Sequence, residues 1–289
     1  MINKALLYLL MSILSVGVIQ AQQFSFHKEI KFARYLRSNN QNTDAEWVLN
    51  HIEKQYLTTA ELDSLNYEIG WLYYSNKKLD TAIQAFLQIS KNETRYTKAN
   101  FFAAYCLAFL KLYDSSTQIL QQIKSTDSVE VELKNFQLAG IALLQKNNIA
   151  FTQFSSGFTF ETYFLKQEEE NFVKYGKAIF SHKKKSPLLA GILSSIVPGA
   201  GKWYAGKKKQ AVGSFLPILS AGMLTLEAFN KGGFQSARFW LFGSAFSTFY
   251  IANIWGSTLA VQKKENEYDK VYENKILFDM HIPLRNFFN

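Results

Sequence analysis

The chain has 289 residues, of which 48% are hydrophobic, and a formal net charge of +9. This length exceeds that of one ordinary domain, and the single cysteine, Cys106, excludes an internal disulfide. The lysines lie in short groups beside apolar runs, at positions where cations meet lipid headgroups. The positive charge therefore favours membrane lipid as a partner and argues against nucleic acid.

The first 21 residues have the layout of a secretory signal peptide. Lys4 precedes an apolar core over residues 5–19, and Ala21 is a small residue at the expected cleavage site. The length of this core also fits a signal anchor that is retained in the membrane. In both cases we expect the residues that follow to be exported.

Residues 22–58 predict one helical pair. Residues 32–36 and 45–52 are apolar segments on either side of a polar stretch over residues 38–44. We interpret them as the degenerate first unit of a repeat array, because an end unit has only one neighbour and is commonly atypical.

Residues 59–158 repeat with a period of 34 residues. Four positions keep this register over three units with no gap: Gly70, Ala104 and Leu138; Tyr73, Leu107 and Ile141; Ala82, Ser116 and Ala150; Phe86, Leu120 and Phe154. The order of glycine, aromatic residue, alanine and phenylalanine in the first unit resembles the tetratricopeptide repeat (TPR) family. The resemblance implies three helical hairpins stacked into a solenoid.

In the TPR family the first helix of each unit lines the concave face. Carried over residue by residue, this face receives five aromatic side chains: Tyr67, Trp71, Tyr74, Phe101 and Tyr105. Aromatic side chains provide a large contact area and often anchor peptides, so the resemblance implies a site for a protein or peptide partner. The alternative is that these side chains pack against neighbouring helices.

Residues 159–185 predict a capping helix and a basic linker. Apolar residues alternate with glutamine and glutamate at helical spacing up to residue 180. Three lysines at residues 183–185 then end the linker. We expect this segment to close the repeat array and to lead to the membrane.

Residues 186–262 predict a membrane module, and residues 263–289 follow as a charged and then apolar tail. A bilayer core about 30 Å thick requires roughly 20 apolar residues of helix. The runs over residues 211–228 and 237–261 are long enough, whereas the run over residues 187–201 is marginal. We favour three crossings, with a re-entrant first run as the alternative that moves the tail to the other side.

A glycine-rich segment joins the first two apolar runs. Its spacing resembles the connection in small bacterial domains with two transmembrane helices, on the residues Pro198, Gly199, Gly201, Tyr204 and Gly206. The resemblance implies a tight turn between apolar helices in the inner membrane of a bacterium. The proline ends or kinks the first helix, and the glycines permit a close-packed turn.

The second and third runs carry small residues at intervals of four. These residues are Gly213, Pro217, Ala221 and Thr225 in the second run, and Ser244, Thr248, Ala252, Gly256 and Ala260 in the third. Small faces let helices pack closely in lipid, which predicts that the two runs pair with each other or with a second copy or another membrane protein. Asn253 is an intramembrane polar residue, and so either a functional residue or an interhelical hydrogen-bonding group.

No catalytic constellation is visible in the sequence. The four histidines have no metal-ligand spacing, and there is no nucleophile elbow or dinucleotide-binding glycine pattern. We therefore expect an all-α protein that is not an enzyme and has no cofactor or metal. The first hypothesis is a membrane-anchored TPR adaptor of the cell envelope, with its repeats in the periplasm. The second is an oligomeric transport or insertion component that works through residues 186–262.

Overall fold

The computed structural model describes residues 26–288 of the chain. The predicted signal peptide and the final residue, Asn289, lie outside the described residues. Within residues 26–288 the secondary structure is entirely helical. The prediction of an all-α fold is confirmed.

The chain divides into two compact units. Unit 1 contains residues 26–176 together with residues 276–288, and unit 2 contains residues 177–275. Unit 1 thus combines the predicted repeats with the C-terminal end of the chain. The sequence prediction had instead placed residues 263–289 in a separate tail.

Unit 1 is built from short helices joined by connections of a few residues. In chain order they are α1 (26–38), α2 (Asn42–His51), a 3-10 turn (Lys54–Tyr56), α3 (Thr59–Ser75), α4 (Leu79–Leu87), α5 (Tyr96–Phe109), α6 (Tyr113–Gln122), α7 (Ser128–Leu144), α8 (Asn148–Ser155) and α9 (Lys166–Ser181). From α3 to α8, each helix contacts the next one in the chain. The start of α9 belongs to unit 1 and its last residues belong to unit 2.

The same turn closes the first helix of each pair. A left-handed residue follows the helix in every case, namely Asn40, Lys77, Lys111 and Lys146, with φ between 56° and 65°. Its N–H and that of the next residue bond back to carbonyls of the last helical turn, as at Lys78 N to Tyr73 O, 2.9 Å. This arrangement satisfies carbonyls that a helix end otherwise leaves without donors.

Small residues allow the two helices of a pair to approach. A Cβ atom added at Gly70 would lie 2.5 Å from the ring of Phe86, which is fully buried. In the next pair the buried Ser116 hydroxyl donates a hydrogen bond of 2.6 Å to the carbonyl of Ala104. The first contact joins α3 to α4 and the second joins α5 to α6. Both lie at positions that the 34-residue period aligns.

Unit 2 contains the three apolar runs. Its elements are the end of α9, α10 (Pro187–Ile196), α11 (Ala200–Tyr204), α12 (Lys208–Gly232), a 3-10 turn (Gly233–Gln235) and the first part of α13 (Ala237–Phe288). Helix α13 continues beyond residue 275 into unit 1.

One helix of the described chain, covering Lys208–Gln235, is long and apolar enough to cross a membrane by length and composition. The helix over Pro187–Ile196 is apolar but shorter. The third predicted run lies in α13, where Asn253 and several serine and threonine residues lower the mean hydropathy. Its crossing of the membrane therefore stays a prediction.

Candidate binding groove and apolar module

The predicted concave aromatic residues lie on α3 and α5 and form one connected cluster. Tyr67, Trp71 and Tyr74 follow each other along α3, with ring centroids 6.1 Å and 5.4 Å apart. Tyr74 lies 6.5 Å from Tyr105 of α5. Phe101 and Tyr105 are buried, whereas the three α3 side chains are partly exposed.

The C-terminal segment of the chain, residues 276–288, lies against this cluster. The imidazole of His281 stacks on Tyr105 at 5.1 Å and shares a hydrogen bond of 2.6 Å with the hydroxyl of Tyr74. The ring of Phe288 lies 5.5 Å from Phe101. We call this segment the C-terminal helix and the surface beneath it the groove.

Polar contacts hold the C-terminal helix along the groove. Lys98 Nζ of α5 donates to the carbonyl of Phe288 at 2.6 Å, and Gln137 Nε2 of α7 donates to the carbonyl of Met280 at 2.8 Å. Asn171 of α9 donates to the carboxylate of Asp279 at 3.1 Å. Because these donors come from α5, α7 and α9, the helix contacts successive pairs of the array.

One side of the C-terminal helix is apolar and buried. Ile276, Met280 and Leu284 follow each other at intervals of four, and each is almost completely buried. Phe278, on another side, is 65% exposed. The sequence prediction had assigned no function to this segment; its four-residue spacing was the available signal of an amphipathic helix.

Burial favours the neutral forms of the histidine and tyrosine rings in the groove. Burial lowers the pKa of His281 below its ordinary value, and the nearby Arg285 acts in the same direction. Burial also raises the pKa of Tyr105 to about 12 and that of Tyr74 further. The neutral imidazole can then accept a hydrogen bond from the Tyr74 hydroxyl.

A pair of carboxyl groups lies between α7 and α9. Glu132 accepts hydrogen bonds of 2.5 Å from the hydroxyls of Thr159 and Thr162. Burial alone would raise the pKa of Glu132, but these bonds lower it below its ordinary value. Burial raises the pKa of Glu169 to about 7, with the Glu132 carboxylate acting in the same direction. Within the described chain, Oε1 of Glu169 is buried without a hydrogen-bond partner.

In unit 2 the glycine-rich segment makes a close-packed turn. Gly199 has φ of 86° and Gly206 has φ of 81°, which only glycine adopts readily. A Cβ atom at Gly201 would collide with the carbonyl oxygen of Ala190 in α10. The hydroxyl of Tyr204 accepts a hydrogen bond of 3.2 Å from the N–H of Ser186. The start and the end of the first apolar run are thus in contact, so that the run doubles back.

Asn253 contributes to the packing of this turn. It is 3% exposed, and its amide oxygen accepts a hydrogen bond of 3.2 Å from the N–H of Gly199. The amide nitrogen donates to the carbonyl of Ser194 at 3.4 Å. One helical turn further on, Ser257 shares a hydrogen bond of 2.7 Å with the hydroxyl of Ser194. These bonds join α13 to α10 and to the turn.

The predicted small faces meet only in part. Ala221 is buried, and the contact of α12 with α13 includes Gly222 against Phe246 and Thr225 against Gly243. The other predicted residues lie elsewhere: Gly213, Ser244, Thr248 and Ala252 are exposed, and Gly256 lies beside Lys202. The small-residue stripe of α13 is therefore not the surface that packs on α12.

Large apolar side chains of unit 2 remain exposed. They are Leu216, Leu219, Met223, Leu224 and Leu226 on α12, and Trp240, Leu241, Phe249, Ile251, Trp255 and Leu259 on α13. Contiguous exposed apolar surface of this kind indicates contact with a membrane or with another protein.

The described residues contain no cluster of three or more histidine, cysteine or acidic side chains that would hold a metal ion. The geometry assembles a groove for a helix in unit 1 and an apolar module in unit 2. Comparison of the chain with protein-family models, with curated proteins and with solved structures gives no match.

Proposed function

We propose that this protein is a membrane-anchored adaptor of the bacterial cell envelope that binds a helical segment of a partner protein in the groove. The observation that carries the proposal is the C-terminal helix itself, which contacts α3, α5, α7 and α9. A groove that holds one amphipathic helix is suited to hold another of similar chemistry. The TPR resemblance supports the same function.

The contacts of the C-terminal helix define the partner's chemistry. The partner presents apolar side chains at intervals of four, in the places of Ile276, Met280 and Leu284. It also presents a ring that stacks on Tyr105 and accepts a hydrogen bond from Tyr74, as His281 does. Binding replaces the C-terminal helix, so that this helix competes with the partner for the groove.

The apolar module anchors the adaptor in the bilayer. The span over Lys208–Gln235 crosses once, and the first part of α13 crosses back beside it. Residues 26–176 and 276–288 belong to one compact unit, which supports an even number of crossings between them. We therefore propose two crossings with a re-entrant first run, the alternative to the three crossings that the sequence favours.

The repeats lie on the periplasmic side in this proposal. The N-terminal signal supports export, and the first apolar segment of a chain usually dominates its orientation. The lysines around unit 2 would by themselves favour the cytoplasmic side for the same residues. Labelling of a cysteine introduced at the exposed Tyr163 by a membrane-impermeant maleimide distinguishes the two sides; labelling in intact spheroplasts is expected.

The contacts of Asn253 do not favour transport. Both polar groups of its amide are engaged by Gly199 and Ser194, and its side chain is buried. A residue that lines a pathway would instead present its polar group to an open cavity. We therefore assign Asn253 to the packing of the module.

Site-specific photocrosslinking in intact cells tests the adaptor function, with the probe at Trp71 or Tyr105. The variant Met280→Asp places a charge in the buried side of the C-terminal helix and should release it from the groove. Crosslinks to a partner are expected to increase in this variant. The matched control is Phe278→Asp, which changes an exposed residue of the same helix and should leave the crosslinks unchanged.

A captured protein supports the proposal only if a synthetic peptide of residues 274–288 competes with it in solubilised membranes. The adaptor function is contradicted if both probe positions capture the C-terminal helix alone, and capture no other protein once Met280→Asp has released it.

A further inference from the structure

Three groups of lysines that are distant in sequence meet at one end of unit 2. Lys185 Nζ donates a hydrogen bond of 2.5 Å to the carbonyl of Tyr204, and Lys264 Nζ donates one of 3.0 Å to the carbonyl of Ala205. Lysines 207–209 follow in the chain directly after this turn. We call the lysines at residues 183–185, 207–209 and 263–264 the lysine rim.

The rim carries a large excess of positive charge. The carboxylates beside it are Glu265, Glu267 and Asp269, which pair with His182, Lys263 and Lys184. Eight lysines against three carboxylates leave a formal excess of five positive charges. At the other end of α12, Glu227 pairs with Lys231, and Arg238 lies nearby. Since α12 has 25 residues, about 37 Å of helix separates the two ends.

Aromatic side chains accompany the rim. Lys208 Nζ lies 5.5 Å from the ring centroid of Trp203, and Lys185 Nζ lies 5.0 Å from that of Tyr204. Trp203 is exposed, and the exposed leucines of α12 follow it in the chain. Tryptophan and tyrosine prefer the headgroup level of a bilayer, so aromatic residues beside lysines at the start of an apolar helix match a bilayer surface.

The start of α12 adds to the attraction for anions. Its N-cap residue, Lys207, makes no side-chain capping bond, and its first turn contains no acidic residue. The free N–H groups and the positive end of the helix dipole therefore face the same region as the lysines. Among the described residues, no carboxylate forms an ion pair with the side chains of residues 207–209.

We propose that the lysine rim binds the headgroups of anionic phospholipids in the bilayer that holds the module. The proposal rests on the membrane anchoring proposed above and adds the lipid class, the residues and the end of the module concerned. Charge complementarity commits the surface to this partner, because a zwitterionic headgroup offers no net charge to five excess positive charges. Phosphatidylglycerol is the probe lipid.

Quenching of tryptophan by brominated lipids in reconstituted vesicles tests the proposal with the full chain. Vesicles of phosphatidylcholine contain the same fraction of either brominated phosphatidylglycerol or brominated phosphatidylcholine. The variant Trp203→Phe removes the tryptophan at the rim, and Trp240→Phe removes the one at the opposite end, where Trp240 lies beside Phe234. The difference in quenching between the wild type and each variant gives the contribution of that tryptophan. At Trp203 the anionic lipid is expected to quench about twofold more strongly, and at Trp240 the two lipids should quench equally.

Two changes should abolish the preference at Trp203. Replacing Lys207, Lys208 and Lys209 by Gln should bring the ratio of the two lipids close to one. Raising the salt from about 0.05 M to about 0.5 M should do the same in the wild type, whose fold is unaltered, because salt screens exposed charges. A ratio of one at Trp203 in the wild type at low salt overturns the proposal. If neither lipid quenches Trp203 or Trp240, the membrane anchoring itself is wrong and the lipid proposal fails with it.

Discussion

Helix α13 has a different environment in each unit, and the difference separates two kinds of surface. In unit 1 its apolar residues Met280 and Leu284 are fully covered by other helices of the chain. In unit 2 Leu241 and Trp255 of the same helix are 65% and 70% exposed. The first surface completes a core, whereas the second leaves large apolar side chains uncovered by the described chain.

The turns of the two units differ for a related reason. In unit 1 the left-handed positions hold Asn40 or lysine, and these side chains extend into solvent. In unit 2 the equivalent position after α11 is Gly206, where a Cβ atom would lie 2.9 Å from Lys264 Nζ. The module therefore packs its turn through glycine, and it should tolerate added atoms less well than the repeats do.

The largest effect is expected from a variant that disrupts the packing of unit 2. Gly201→Ala places a methyl group against the backbone carbonyl of Ala190, which cannot move without shifting α10. We expect a loss of about 3 kcal/mol or more in the free energy of unfolding. Thermal unfolding in detergent micelles, followed by circular dichroism, measures it. Gly213→Ala is the matched control, since no atom lies within 4 Å of its added Cβ. Equal stability of the two variants would contradict the close packing of the turn.

A second variant tests whether unit 1 depends on its C-terminal helix. A Cβ atom at Gly140 would lie 2.7 Å from the sulfur of Met280, so Gly140→Leu should displace the helix from the groove. Overpacking of this kind costs about 1–3 kcal/mol. Hydrogen exchange should become faster over residues 276–288 and remain unchanged over α12. Unchanged protection of the C-terminal helix would show that the groove does not hold it through this contact.

The third prediction concerns the buried carboxyl pair of unit 1. The folded-state pKa of Glu169, about 7, lies above its ordinary value of 4.5. Between these values the folded protein holds a proton that the unfolded chain has released, so the free energy of unfolding falls as the pH rises through this window. Glu169→Gln is uncharged at every pH. It should therefore be about 1–2 kcal/mol more stable than the wild type at pH 8, and equally stable at pH 5.

Urea unfolding at the two pH values measures this difference. The control is Glu170→Gln, which changes the neighbouring, more exposed carboxylate. A wild-type stability that does not fall between pH 5 and pH 8 would contradict the raised pKa of Glu169.

The smallest expected effect concerns the turns of unit 1. Lys111 has φ of 65°, a conformation that glycine adopts without the clash of a Cβ atom. Lys111→Gly should raise the free energy of unfolding by about 0.5 kcal/mol, partly offset by the entropy of glycine in the unfolded chain. Chemical denaturation measures the change, with Lys124→Gly, outside the left-handed turns, as the control. A destabilisation at Lys111 equal to that at Lys124 would contradict the turn geometry.

Local patterns predicted much of the helical fold. The 34-residue period aligned Gly70 with Ala104 and Ala82 with Ser116 as small positions where paired helices approach, and the structure has close contacts at Gly70 and between Ser116 and Ala104. The aromatic residues of α3 and α5 were found in the same way. The C-terminal helix that covers these aromatic residues was not predicted. The pattern of an amphipathic helix indicates which of its faces is apolar, but not which surface that face will pack against.

The sequence by itself determined that the chain is helical, where glycine permits tight turns, and where an apolar helix is long enough to span a bilayer. Each of these properties depends on residues a few positions apart. Only the tertiary structure decided that His281 meets Tyr74, 207 residues away, and that Lys185 and Lys264 meet at the same turn. Such contacts depend on which distant surfaces are complementary in shape and charge, and that depends on the whole packed chain.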